Sequence, residues 1–165
     1  MTLGITLDQL LDYSDHERRK WREWVSADPA RLDVVMQPGG RFPTVGALLD
    51  HVFLVERRHL ARLEGGTPPD ATGVPPGDWK RLFDYADLVR ADLRRYASDV
   101  DNNVGDQVIA FNAVGLGPVS MTRRRLLTHV VLHEIRHLAQ VALAARMAGI
   151  APPGEHDLFY FAEFA

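Results

Sequence analysis

The sequence contains no cysteine, which excludes disulfide frameworks, thiolate metal sites and cysteine nucleophiles. Any metal ion would therefore be bound by nitrogen and oxygen ligands. Lysine is scarce, with only Lys20 and Lys80, and the formal net charge of −3 lacks the basic excess that is typical of nucleic-acid-binding proteins. Nucleic acid is therefore not expected as a partner.

Long apolar runs are also missing. No stretch approaches the roughly 18 uninterrupted apolar residues of a membrane span, and Met1 to Leu11 carry no basic segment of the kind that opens a signal peptide. These features predict a cytoplasmic protein with no membrane partner. A chain of 165 residues, 46% of them apolar, is long enough to bury one hydrophobic core, so residues 1–165 are predicted to form a single domain.

Four long amphipathic patterns, separated by breaks rich in glycine and proline, predict an all-α protein built as a four-helix bundle. Thr6 and Gln9 have the spacing of a capping box at the start of the first helix. The expected helices run from Leu7 to Ser26, from Thr44 to Gly65-Gly66, from Asp78 to Asn102-Asn103, and from Ser120–Thr122 to Met147.

Two segments do not fit the helical pattern. Residues 107–120 contain β-forming side chains punctuated by Gly115, Gly117 and Pro118, which predicts a short hairpin or extended loop between the third and fourth long helices. A short C-terminal helix is expected after Asp157. Its aromatic residues would dock on the bundle or serve a dimer interface; they are Phe159, Tyr160, Phe161 and Phe164.

The histidines carry the strongest chemical signal. His129, His133 and His137 recur at four-residue steps on the last long helix. Each step turns the helix by about 400°, so neighbouring side chains lie about 40° apart and about 6 Å along the axis. Two imidazoles at this spacing can bind one metal ion. The alternative to metal binding is that these histidines form local hydrogen bonds or lie at the rim of the bundle. A buried imidazole nitrogen without a partner costs about 1 to 3 kcal/mol.

A third ligand is available from the second helix. His51 lies on the same stripe as Leu48 and Val55 and is expected to face the interior, where ligands from two helices can meet. Three histidines would leave a position for water or substrate, which is typical of catalytic sites. His59 lies two turns further along a similar face, but its arginine neighbours favour a place near the surface.

Residues 133–137 also fit the motif H-E-x-x-H, in which the glutamate is the general base of a metalloprotease. Such proteases usually take a third ligand downstream, where only His156 is available, and the strands of a substrate cleft are not predicted. The protease interpretation is therefore disfavoured. Glu134 stays a candidate catalytic proton acceptor or a hydrogen-bond acceptor behind a ligand; the alternative is a solvated helix residue.

The sequence resembles the DinB/YfiT-like superfamily of metal-binding four-helix bundles. The resemblance rests on His51 within Leu48–Glu56, on the histidines and Gln140 of the last long helix, and on the exit Gly149–Pro153 leading to Asp157. It spans nearly the whole chain and implies that His51, His133 and His137 bind the metal ion. His129 would then stack or support a ligand, and Gln140 would orient one. Ala139 stands where the family often has glycine, a difference that concerns helix packing.

The resemblance also implies a function. The superfamily includes hydrolase-like members, enzymes that transfer low-molecular-weight thiols such as bacillithiol or mycothiol, and a thiol-dependent maleylpyruvate isomerase. The leading hypothesis is a metal-dependent S-transferase of detoxification, or a related hydrolase, with zinc or nickel, a small-molecule substrate and a thiol cosubstrate. The alternative is a non-catalytic, stress-induced metal-binding bundle. A homodimer is common in the family.

A run of three arginines, Arg123 to Arg125, begins the last long helix. Cations at a helix N-terminus are unfavourable by roughly 0.3 to 1 kcal/mol. The run therefore suggests an anionic neighbour, either a cosubstrate carboxylate or an acidic side chain, although a solvated face is the favoured interpretation. DNA binding is the third functional hypothesis that this run allows.

Overall fold

The computed structural model describes residues 4–36, 39–100, 102–113, 115, 117–158 and 161, with residues 102 and 103 described by their backbone alone. Its helices are α1 (Leu7–Ala27), α2 (Val45–Leu63), α3 (Trp79–Asp99), the short α4 (Asn102–Asp106) and α5 (Arg123–Met147). Helix α2 packs against α3 and α5, and α1 packs against the same two helices. The predicted all-α bundle of four long helices is confirmed.

The helices begin where the sequence predicts. The Thr6 hydroxyl accepts a hydrogen bond from the Gln9 N–H at 3.1 Å, and the Gln9 side chain accepts one from the Thr6 N–H at 2.9 Å. Thr44, Asp78 and Thr122 each accept a hydrogen bond from the backbone N–H three residues further on. These caps satisfy N–H groups that have no partner within the helix.

One helix ends earlier than expected, and one segment expected to be a loop contains a short helix. Helix α3 ends at Asp99, short of Asn102-Asn103, because Val100 adopts an extended backbone conformation, and α4 follows as a separate turn of helix. The break at Asp28 leads into a 3-10 helix over Pro29–Asp33, where the Asp28 carboxylate accepts a hydrogen bond from the Ala30 N–H.

The segment before α5 is the predicted hairpin. Strands β1 (Val108–Ala113) and β2 (Gly117–Thr122) pair antiparallel, with Val108 opposite Thr122. Alternate residues of β1 are half-buried, as expected for a strand with one face against the protein. The Arg123 N–H donates to the Gln107 carbonyl at 3.0 Å. The hairpin is therefore fixed directly to the start of α5.

The C-terminal segment returns along α1. The Trp24 indole N–H donates to the Ala151 carbonyl at 2.7 Å, and the His156 ring stacks on Trp21 with centroids 5.3 Å apart. Phe161 is buried and meets the Tyr13 ring edge-on. Most of the predicted terminal helix, including Phe159, Tyr160 and Phe164, lies outside the described residues.

The bundle core holds large apolar side chains from each long helix. Trp21, Phe53, Phe83 and Leu126 are almost completely excluded from solvent, and the rings of Phe53 and Phe83 meet edge-on at 5.5 Å. This apolar packing sets the relative positions of α1, α2, α3 and α5. In the described part of the chain, no helix combines the length and apolar character needed to span a bilayer.

Candidate metal centre

Three histidines from two helices converge in the bundle. His51 comes from α2, and His133 and His137 come from α5. One ring nitrogen of each lies within 4.8 Å of the others. The structure therefore brings together the three side chains that the resemblance implies, because α2 and α5 pack side by side and present these positions to each other.

The donor set fits a divalent cation. The Nδ1–H of His137 donates to the Gln140 side-chain oxygen at 2.6 Å, which leaves the Nε2 lone pair of His137 available. The Nε2 atoms of His133 and His137 are 3.1 Å apart. Two imidazoles on one tetrahedral zinc ion, each at about 2.0 to 2.1 Å from the metal, place their nitrogens about 3.3 Å apart. The spacing in the structure is close to that value.

The three imidazoles are held neutral. Burial, followed by the charges of His137 and Arg41, lowers the pKa of His51 to about 4. Burial and the neighbouring histidines lower the pKa of His133 to about 3, and burial also lowers the pKa of His137. A histidine ligand must be deprotonated to bind metal, and these groups meet that condition at neutral pH.

The three histidines open onto a cavity of about 400 Å³ between α2, α5 and the hairpin. We call this space the histidine cavity. Its apolar wall includes the hairpin residues Phe111, Ala113, Val119 and Met121. The alternation of side chains along β1 and β2 directs these residues toward the helices. The hairpin therefore forms one wall of the histidine cavity.

His59, predicted near the surface, is half-buried and lines the histidine cavity. Its ring meets the rings of His129 at 5.4 Å and Phe111 at 6.0 Å. Its neighbours Arg58 and Arg62 line the same cavity. His129 lies between the rings of His59 and His133, one turn from the three-histidine cluster.

Glu134 is placed in a different environment from the histidines. It is 1% exposed, so the alternative of a solvated residue is wrong. Its carboxylate accepts hydrogen bonds from Ser14 at 2.5 Å, from Arg18 Nε at 2.8 Å and from Arg90. One residue step rotates a helix position by about 100°, so Glu134 points away from its neighbour His133.

Burial would raise the pKa of Glu134, but the charges of Arg18 and Arg90 lower it to about 2. The same arginines bind Glu56 of α2, with Arg18 Nη2 at 2.5 Å and Arg90 Nε at 2.7 Å. We call Ser14, Arg18, Glu56, Arg90 and Glu134 the ion network. The structure thus assigns the Glu134 carboxylate to packing between helices.

The ion network was missed by the sequence interpretation, although a signal for it exists. Glu134 occurs four residues after Val130 and four before Leu138, both of which are buried. A charged residue on an apolar stripe needs a partner of opposite charge, since burying an isolated charge is very costly. The distant arginines that supply this partner could not be identified from α5 alone.

The geometry of the metalloprotease motif is not reproduced. Its glutamate belongs to the ion network, and the ring of His156, the one downstream histidine, stacks on Trp21. The Nδ1 atom of His156 lies 2.5 Å from a carboxylate oxygen of Glu17. His156 therefore anchors the C-terminal segment to α1 and does not approach the three-histidine cluster.

The arginine run at the start of α5 divides among three environments. Arg123 donates to the Leu63 carbonyl and to the Tyr96 hydroxyl. Arg124 pairs with Asp106 at 3.0 Å. Arg125 lines the histidine cavity. Arg124 and Arg125 are exposed, as the favoured interpretation of a solvated face predicts, and Arg124 also has an acidic neighbour, whereas Arg123 is half-buried.

Comparisons with known proteins agree with this architecture. The model of the DinB family matches residues 2–163. A crystal structure described as the conserved protein of locus from Enterococcus faecalis has the same fold, with a TM-score of 0.65 and 16% sequence identity over 87% of this chain and 97% of that one. No match is found among curated proteins.

Proposed function

The chain belongs to the DinB family, and on that premise we propose that His51, His133 and His137 bind a divalent metal ion at which a low-molecular-weight thiol is transferred to a small electrophile. The observation that carries the proposal is the convergence of three neutral imidazoles at the wall of a cavity large enough for a small molecule. Imidazole ligands suit both zinc and nickel.

A divalent ion at three imidazoles lowers the pKa of a bound water or thiol and so supplies an anionic nucleophile at neutral pH. The chain's own residues orient the ligands. The hydrogen bond from His137 to Gln140 fixes the tautomer that presents Nε2 to the cluster. Three protein ligands, in contrast to the four of a structural site, leave a position for a reactant.

The thiol must come from a cosubstrate, because the sequence has no cysteine. In the proposed reaction the thiol loses its proton to solvent, and its sulfur forms a bond to the electrophilic carbon. The leaving group departs with the electron pair of the bond that breaks. Phe111, Val119 and Met121 line the histidine cavity and give the electrophile an apolar surface to pack against.

The metal part of the proposal is tested by measuring the zinc and nickel content of purified protein and the affinity for each ion. His51→Ala is expected to abolish stoichiometric binding, because one of three ligands is lost from the opposite helix. His16→Ala is the matched control, since His16 lies against Phe161 outside the cavity. Equal metal affinity in wild type and His51→Ala would contradict the ligand assignment.

The transfer step is tested with metal-loaded protein, monobromobimane as electrophile, and bacillithiol, mycothiol and glutathione as thiols. Turnover that requires both thiol and metal, and that His51→Ala removes, is the expected result. Metal binding without turnover with any of these thiols would contradict the transferase proposal and favour a non-catalytic metal-binding protein. Ester hydrolysis without thiol would instead favour a hydrolase.

A further inference from the structure

The histidine cavity has a strongly one-sided charge. Four arginines line it, and no aspartate or glutamate does so among the residues that the structure describes. None of the four forms an ion pair with a described carboxylate, whereas Arg18, Arg90 and Arg94 each pair with two or more. The four are Arg41, Arg58, Arg62 and Arg125.

Two of these arginines lie at the end of the cavity away from the three-histidine cluster. Ring contacts pair His59 of α2 with His129 of α5, and Arg62 and Arg125 each lie about one turn beyond that pair. The axial rise is about 16 Å from His51 to Arg62 on α2 and about 12 Å from His133 to Arg125 on α5. The cavity therefore has a histidine end, which Arg41 also approaches, and an arginine end formed by Arg62 and Arg125.

Among the described residues, no carboxylate forms an ion pair at the arginine end. The Arg62 guanidinium lies 4.7 Å from the centre of the Phe111 ring, and its Nη1 lies 3.2 Å from Nδ1 of His59. Burial, together with the charge of Arg58, lowers the pKa of Arg62. The half-buried charge of Arg62 has no described carboxylate as ion-pair partner, which is unfavourable, and exposed Arg125 adds a second charge of the same sign. A bound carboxylate or phosphate would relieve this cost through charge-assisted hydrogen bonds, for which the guanidinium is well shaped.

We propose that the histidine cavity binds an elongated small molecule whose reactive end reaches the three-histidine cluster and whose other end is an oxyanion held by Arg62 and Arg125. The apolar middle of the molecule lies along Phe111 and Met121 of the hairpin. Placing the reactive end rests on the proposed function, but the oxyanion site requires no metal.

The oxyanion site is tested by calorimetric titration of metal-free protein with octanoate, octyl phosphate and 1-octanol. At low salt, one or both anions should bind at least about 10-fold more tightly than 1-octanol, the difference expected for hydrogen bonds to a charged group. The anion preferred by the wild type identifies the source of the oxyanion. Salt should weaken the preference. Equal affinity for all three probes would overturn the proposal.

Variants locate the site. Arg62→Gln and Arg125→Gln should each remove most of the preference for the anion, and Arg146→Gln, on α5 but outside the cavity, should leave it unchanged. Arg62→Gln loses the contact with Phe111 and could therefore disturb the fold. Arg125 is exposed, so Arg125→Gln should preserve the fold and keeps the test valid. An unchanged preference in Arg125→Gln would overturn the assignment.

A final arm separates this inference from the proposed function. Zinc-loaded protein is titrated with 8-mercaptooctanoate and with mercaptoacetate, which is too short to span the cavity. Arg125→Gln should weaken only the longer thiol. Anion preference in protein that fails to bind zinc would support the oxyanion site and contradict the metal centre. Zinc binding without anion preference would do the reverse.

Discussion

The ion network and the histidine cavity both use residues of α2 and α5, but the charged groups in the two regions are paired differently. Glu134 of the network is adjacent in sequence to His133 of the cavity. In the network, acids and arginines are almost fully buried and satisfy one another. In the cavity, the imidazoles are neutral, and the arginines form no ion pair with a carboxylate among the residues that the structure describes. Buried ion pairs hold helices together, whereas arginines that line a space without an acidic partner indicate an anionic ligand.

The largest effect is expected from removing one carboxylate of the ion network. Glu134→Gln should lower the free energy of unfolding by about 3 to 5 kcal/mol, because Arg18 and Arg90 lose a counter-charge in the core. Zinc bound per folded molecule should not change, since the carboxylate does not face the histidines. Urea denaturation and metal analysis of the folded fraction measure the two quantities.

The matched control is Glu64→Gln at the end of α2. Glu64 lies 3.8 Å from Arg57 in a solvent-exposed ion pair, and its loss should cost less than about 1 kcal/mol. If Glu134→Gln instead preserved stability and removed activity, Glu134 would act in proton transfer, as the sequence first suggested, and the distinction between the two regions would fail.

The second prediction removes one of the three converging imidazoles from the cavity. His133→Ala should weaken zinc affinity by more than about 100-fold. Loss of a residue that hydrogen-bonds to a ligand weakens metal affinity by about 10- to 100-fold, and loss of the ligand itself should weaken it more. Unlike Glu134→Gln, it leaves no buried charge unpaired, so the metal-free protein should lose much less stability. Competition with a chromogenic chelator measures the affinity, and an unchanged value would exclude His133 as a ligand.

The third prediction concerns the group behind a ligand. Gln140→Leu should weaken zinc affinity by about 10-fold, because the Nδ1–H of His137 loses its acceptor at 2.6 Å and the ring can then adopt the other tautomer. Stability should be unaffected, as Gln140 is exposed. Gln107→Leu, at an exposed position before β1, is the control in the same chelator assay. Equal affinities would show that Gln140 does not orient the ligand.

Much of the fold was predictable because its signals are local. The Thr6 capping box, the apolar stripes and the glycines of the hairpin act over a few residues, and the structure agrees with them. The placement of His51 opposite His133 also follows from helical spacing once two helices face each other. In these cases short-range pattern and long-range packing specify the same arrangement.

The remaining features depend on which distant residues meet. The spacing of Glu134 from buried residues marked it as unusual, but only the packing of α1 and α3 brings Arg18 and Arg90 to it. His59 was predicted near the surface and is half-buried, but its contact with Phe111 of the hairpin could not be inferred from α2 alone. Sequence periodicity predicts which face of a helix a side chain occupies, but it does not predict which distant residues contact that side chain.

The smallest effect should come from the histidine one turn beyond the cluster. His129→Ala is expected to change zinc affinity by less than about threefold, or about 0.7 kcal/mol, because its ring lies 5.7 Å from that of His133 and it is not one of the three whose nitrogens converge. The chelator competition used for His133→Ala gives a direct comparison on one helix face. A loss as large as that of His133→Ala would make His129 a ligand and move the metal centre one turn toward Arg125, which would shorten the molecule that the cavity can hold.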